Sequence, residues 1–245
     1  MIAVIAGREV RSGLVTPLIW ILLGAGQLVL SWIFLQVIED FSGLAADKRL
    51  MAITQTMTLN LFGFAAVVAM LAAPLLAMRM LSGDFRDGSF ELIQSSPVRL
   101  SQIVLGKFLG LVLLLTPLVL LPALDLALLA SSAELDVGTL AAATLGIWLA
   151  TLMFAAVGLY ASSLTSQPGA AVLVAFGILL LFSVIGRAEP LLAGSLSLFG
   201  WLSWNEHLLW FLLGAVRASD LVYYLAFTGL FLALTHRRLA NRRLQ

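Results

Sequence analysis

Long apolar runs separated by short polar breaks set the pattern of this chain. Six runs stand out, over residues 17–38, 57–80, 103–130, 139–163, 168–186 and 221–234. A bilayer core of about 30 Å needs ~20 apolar residues in a helix rising ~1.5 Å per residue. Backbone N–H and C=O groups find no water in hydrocarbon, so each run predicts a spanning helix, the last one short. Pro17 and Pro168 head the first and fifth runs, where a missing N–H costs nothing. Pro74, Pro117 and Pro122 fall inside runs and predict kinks. The expected fold is an all-α polytopic membrane protein, one domain over 1–245 with six transmembrane helices.

Two segments depart from this pattern. Residues 1–16 mix apolar positions with Arg8, Glu9 and Arg11, which predicts a short amphipathic elbow helix lying along the cytoplasmic surface. The plainer alternative is a frayed tail. A cleavable signal peptide is not expected, because the 17–38 run is too long for an h-region and no small-residue cleavage site follows it. Residues 190–202 are apolar but too short to span, and Asn205, Glu206 and His207 follow directly. They predict an outer re-entrant or interfacial helical hairpin over 190–218, between the fifth and sixth spans. His207 within it reads either as a proton sensor or, more plainly, as an interfacial histidine with a wet edge. Trp201, Trp204 and Trp210 there read as interface anchors or as a docking surface.

Composition agrees with the pattern and narrows the function. Of 245 residues 61% are apolar and 11% charged, against roughly 45–50% and about 25% in soluble domains. Disorder and a nucleic-acid-binding arm are excluded on that ground. With no cysteine, disulfides, thiolate metal sites and cysteine nucleophiles are excluded together. The net charge of +1 hides an asymmetry. Six spans with both termini inside place Arg8, Arg11, Arg79, Arg86, Arg99, Lys107, Arg237, Arg238, Arg242 and Arg243 on the inner side. Only Lys48, Arg49, Arg187 and Arg217 fall outside. This split follows the positive-inside rule and predicts a multi-pass inner (cytoplasmic) membrane protein with cytoplasmic termini.

Catalytic motifs are missing. The Gly106-Lys107 pair lacks the upstream glycine of a phosphate-binding loop, and neither Gly-x-Ser-x-Gly nor His-Glu-x-x-His occurs. His207 and His236 are the two histidines, too few for a membrane metalloenzyme, and no catalytic or metal-binding residue is expected. Asp125 is the ionisable residue clearly within a span, which makes it a transport-path candidate. Its place near the outer end of the 103–130 run also suits a carboxylate reaching water or capping a broken helix. Gly106-x-x-x-Gly110 permits close helix approach.

The segment 78–110 is the longest inner connection and holds seven charged residues. Gly83 and Gly88 interrupt helical continuity, a short helix carrying Glu91 fits 89–95, and Ser96-Pro97 ends it. Ser101 is placed to cap the next span. Without further context this elbow is an ordinary solvated connection.

Its residues nevertheless resemble a family. Met78-Arg79, the stretch through Asp84 and Arg86, Gly88-Ser89-Phe90-Glu91-Leu92, Ser96-Pro97-Val98 and Val104-Leu105-Gly106-Lys107 are similar to the loop of ABC-2 type exporter permeases. The likeness is strongest to the gliding-motility (GldF-like) permeases. Arg8-Glu9-Val10-Arg11 before Thr16-Pro17, and Phe211, Gly214, Asp220-Leu221-Val222-Tyr223-Tyr224, Phe231-Leu232 and the terminal arginines extend it along the chain. Ser89, where threonine is commoner, and Gly83-Asp84-Phe85, in place of a more acidic run, are mild departures.

The resemblance implies a transport subunit, with ATP and Mg²⁺ held by a separate cytoplasmic ABC ATPase dimer and no cofactor in this chain. The 81–102 loop would be the ATPase-coupling element, with Glu91 as its docking contact, Arg86 and Arg99 flanking it, and Gly88, Ser96 and Pro97 shaping it. The elbow residues Arg8, Glu9 and Arg11 would move with it. A second permease copy or homologous permease would complete the path, with membrane lipid around it, a periplasmic-domain auxiliary subunit as a further partner and no nucleic acid. A competing reading is a force-transmitting scaffold that acts on a periplasmic partner without moving a substrate. A membrane enzyme or channel lacks any supporting acid–base or metal constellation.

Overall fold

The computed structural model describes residues 1–43, 53–88, 99–129, 135–186 and 198–242, all helical or in short connections. In chain order the helices are α1 (Ile2–Val15), α2 (Pro17–Gly43), α3 (Ile53–Met57), α4 (Gly63–Ala77), α5 (Ser82–Arg86), α6 (Leu100–Leu129), α7 (Val137–Leu164), α8 (Pro168–Val184), α9 (Leu198–Leu202), α10 (Trp204–Leu212) and α11 (Ala218–Arg242). A π-helical turn, Thr58–Phe62, joins α3 to α4. Among the described residues five helical stretches are long and apolar enough to cross a membrane: Pro17–Gly43, Ile53–Arg86, Leu100–Leu129, Val137–Leu164 and Ala218–Arg242. The helix α8 is equally apolar in character but has 17 residues.

The bundle is built around α7, which packs against α4, α6, α8, α10 and α11. Of its most apolar window 72% is buried, against 28% for α2, so α7 is the central post and α2 turns a broad apolar face outward. α6 runs as one helix with Pro117 and Pro122 inside it. Gly83 sits inside α5, whereas Gly88, at φ +70°, takes the left-handed conformation that glycine tolerates and ends that segment. Ser101 is within the first turn of α6 rather than capping it, and the amides of Gln102 and Ile103 bond to the Arg99 carbonyl. Sequence pattern held no sign of the π turn at Thr58–Phe62, because it is fixed by a distant partner. The Thr58 hydroxyl donates to the Leu212 carbonyl at 2.7 Å.

The basic residues Arg8, Arg79, Arg86, Lys107 and Arg242 gather at one end of the bundle, called here the basic end. There α1 runs alongside α6 in the same direction. A Cβ on Gly106 would lie 2.7 Å from Ile5 Cβ, one on Gly110 would lie 2.8 Å from Glu9 Cβ, and one on Gly13 would meet Leu114 Cδ1 at 2.5 Å. Both chains advance together through these contacts, so α1 follows the α6 axis over two turns. A helix lying flat across the end of the bundle would touch α6 at one place only. The glycine pair at 106 and 110 therefore seats α1. Gly110→Leu should displace it, at a cost of about 1–3 kcal/mol for overpacking. Trypsin cleavage after Arg8 and Arg11 would read this out, and protection equal to wild type would contradict the seating.

Candidate functional site

The basic end holds a buried ion cluster that joins three separate parts of the chain. Lys107 on α6 is 1% exposed. Its Nζ donates to Glu9 Oε1 of α1 at 2.8 Å and lies 2.8 Å from Asp84 Oδ2 of α5. The Asp84 approach is an ion pair without hydrogen-bond alignment, since that oxygen has no hydrogen-bond partner. Arg8 Nη2 donates to the same Glu9 oxygen at 2.9 Å. Burial pushes the Glu9 carboxyl up, but the charge and hydrogen bond of Lys107, with Arg8, outweigh it and hold Glu9 below its ordinary value.

The connection after α4 is tied down from the other side. The Ser162 hydroxyl of α7 accepts from the amides of Leu81 and Ser82, at 3.1 and 3.0 Å, and donates to the Met78 carbonyl at 3.0 Å. Ser82 also donates to the Met78 carbonyl. The guanidinium of Arg242, near the end of α11, sits 3.9 Å from the centroid of the Phe85 ring. So α6, α7 and α11 hold the segment 78–87, and α1 joins it through Lys107.

Of the loop residues singled out from sequence, Arg86 pairs with its exposed neighbour Asp87 at 3.1 Å, Gly88 makes the left-handed turn and Arg99 precedes α6. Glu91, Ser96 and Pro97 lie outside the described residues. Arg8 and Glu9 belong to the ion cluster, and Arg11 is exposed on α1.

Asp125 is a buried acid within a span, and the alternative of a carboxylate reaching water or capping a broken helix is not met. It is 3% exposed and lies inside α6. Its Oδ1 accepts from Gln27 Nε2 at 2.7 Å and Ser31 Oγ at 3.1 Å, both on α2, and Gln27 also donates to Ser31 at 2.9 Å. Asp125 Oδ2 and Gln27 Oε1 have no hydrogen-bond partner, so the patch has unused acceptor capacity among the helices.

The opposite end carries a second buried cluster. Asp220 is fully buried and accepts from Arg217 Nε at 2.8 Å and Nη2 at 3.0 Å. His207 Nδ1 faces Asp220 Oδ1 at 2.7 Å and Nε2 faces the Trp201 carbonyl at 2.8 Å. Both partners are oxygens, so a ring with hydrogen on both nitrogens makes both bonds and a neutral ring makes one. The ring stacks on Tyr223, centroids 3.9 Å apart. His207 is therefore buried at 5% exposure, and the expected wet edge is absent. Tyr223 and Tyr224 donate to the carbonyls of Leu202 and Trp204, at 2.7 and 2.8 Å. Trp204 is buried, while Trp201 and Trp210 are about half exposed. At the same end Asp136 caps α7. The Thr139 hydroxyl, then the Gly138 amide, hold its carboxyl below the usual range.

Two charge clusters thus sit at opposite ends of an apolar bundle, around Lys107 and around Asp220. Residues 40–205, about two thirds of the chain, match the family model described as ABC-2 family transporter protein. The chain belongs to the ABC-2 transporter family. No curated protein matches it. As an ABC-2 permease it is a membrane transport subunit, not itself catalytic, of a family that works with a cytoplasmic ABC ATPase. The matched region holds Asp84, Lys107 and Asp125, whereas Glu9 and Asp220 lie beyond its two ends.

Proposed function

We propose that the chain is the membrane subunit of an ATP-driven exporter, coupled through residues 81–102 to a separate ATPase dimer and paired with a second permease of this kind. The observation that carries the reading is the Lys107 cluster, which ties α1 and α5 to the start of α6. A push on the 81–102 segment then moves α1 and α6 as one body, and rigid-body tilting opens and closes the path. Here α8, about 25 Å long at ~1.5 Å per residue, serves as the sixth span. The basic end faces the cytoplasm, both termini lie there, and the membrane is the inner one, in keeping with the bias of positive charge. GldF-like permeases are the subfamily that the sequence likeness favours. Asp125, with Gln27 and Ser31, lines the transport path. ATP and Mg²⁺ are bound by the partner.

Co-purification tests the coupling. Co-expressed with its ATPase, Glu91→Arg should lower recovery of the ATPase about ten-fold or more, since inverting an interfacial charge costs at least ~2 kcal/mol. Undiminished recovery would argue against docking at this loop. The exposed Trp201 and Trp210 at the opposite end favour a second reading, a scaffold that passes force to a periplasmic partner. ATP-dependent movement of substrate in vesicles separates the two.

A further inference from the structure

Between α1, α2, α4 and α6 lies a cavity of about 690 Å³, within the ~300–1,000 Å³ usual for small-molecule sites. Its wall is largely aliphatic, with Val4, Leu18, Leu75 and Leu114 among the lining residues, and Arg8 and Arg79 also line it. Among the described residues its charges are three cations, Arg8, Arg79 and Lys107, and two carboxylates, Glu9 and Asp84, leaving one positive charge in excess. Both carboxylates already pair with Lys107. Arg8 also meets the Glu9 oxygen that Lys107 holds, so the excess is most open on Arg79. Arg79 is exposed and makes no hydrogen bond or ion pair to any described residue. Val4, on its wall, is an exposed apolar residue, as are Leu14 and Val15 further along α1.

We propose that this cavity holds one anionic phospholipid, its phosphodiester at Arg79 and Arg8 and one acyl chain along Val4, Leu18, Leu75 and Leu114. A soluble anion has no use for the aliphatic wall, and a neutral lipid leaves the excess charge unmatched. A singly charged phosphodiester with an acyl chain satisfies both, and arginine offers phosphate a planar pair of donors. The leaflet facing a basic protein end is also where anionic lipid accumulates. Such a lipid contacts the same α1 and α6 that Lys107 joins, and extends the connection to α2 and α4. The inference rests on reading the chain as membrane-spanning, but not on its coupling to an ATPase.

The test uses the full-length permease alone in neutral detergent, titrated with phosphatidylglycerol, phosphatidylcholine or inorganic phosphate. Tm and native mass spectrometry are the readouts. Phosphatidylglycerol should bind saturably, one per chain, and raise Tm, while the other two do neither. Arg79→Gln should weaken that binding about ten-fold, the loss of one charge-assisted contact. Ser12→Trp, which fills the cavity from an exposed lining position, should abolish it. Equal binding of phosphatidylcholine, the same effect from phosphate alone, or unchanged affinity in Arg79→Gln would each overturn the proposal. Loss of ATPase association in a separate experiment would leave it standing.

Discussion

Replacing Lys107 by methionine should lower the unfolding free energy of the solubilised permease by about 3 kcal/mol, the cost of leaving two largely buried carboxylates, 13% and 19% exposed, without their cation. Methionine fits the volume and keeps the helix, so the effect is electrostatic. It removes the one cation that both Glu9 and Asp84 face. Arg8 remains near Glu9, but its side chain is 60% exposed and its pair is worth less than about 1 kcal/mol. The sharper part of the prediction is the rescue. Lys107→Met combined with Glu9→Gln and Asp84→Asn should recover most of the loss, because a buried ion group replaced as a whole is close to neutral. Thermal unfolding of the single and triple variants decides it. A triple variant no more stable than Lys107→Met would show that Lys107 acts by packing.

The same cluster sets an acid limit with a definite sign. Glu9 titrates below its ordinary value in the folded protein, so its contribution is present at neutral pH and is lost as pH falls below the usual glutamate range. In Lys107→Met that opposing charge is gone and burial acts on Glu9 with only Arg8 against it. Release of α1, followed by trypsin cleavage after Arg8 and Arg11, should then begin at higher pH than in wild type.

How far the sequence shows these features depends on the range over which each is determined. Spans at 17–38 and 139–163 are legible because hydrocarbon forces any such run to bond its backbone internally. The family is legible because the 78–110 residues lie side by side along the chain. Lys107 is not. Near the start of an apolar run it reads as a lysine reaching out to the interface, and only the seating of α1 against Gly106 and Gly110 turns it inward. Asp84 and Glu9 likewise read as solvated charges, because nothing local states that they share one cation. Asp125 was found as a buried acid, but its partners Gln27 and Ser31 sit on a helix nearly a hundred residues away. Long-range pairing of polar side chains is the part that one sequence conceals.

Removing Asp220 should have the second-largest effect, about 2–3 kcal/mol for Asp220→Ala. Asp220 is fully buried, accepts from Arg217 and faces His207 Nδ1, so its loss leaves one buried ring nitrogen and one half-exposed cation without a partner. Arg217 can turn to water, being 42% exposed and lying over the Trp210 ring, and Arg217→Gln should cost under about 1 kcal/mol. His207 has no such exit. Stacked on Tyr223 and bonded to the Trp201 carbonyl, it holds the turn between α9 and α10 against α11. Asp220→Ala should therefore loosen Trp201 as well as lower the Tm, seen as stronger quenching of tryptophan fluorescence by a soluble quencher. The double variant Asp220→Ala with His207→Phe should be more stable than Asp220→Ala alone, because the unpartnered polar nitrogen is gone while the aromatic stack is kept. If the two losses simply add, the His207–Asp220 pair is not what closes this end of the bundle.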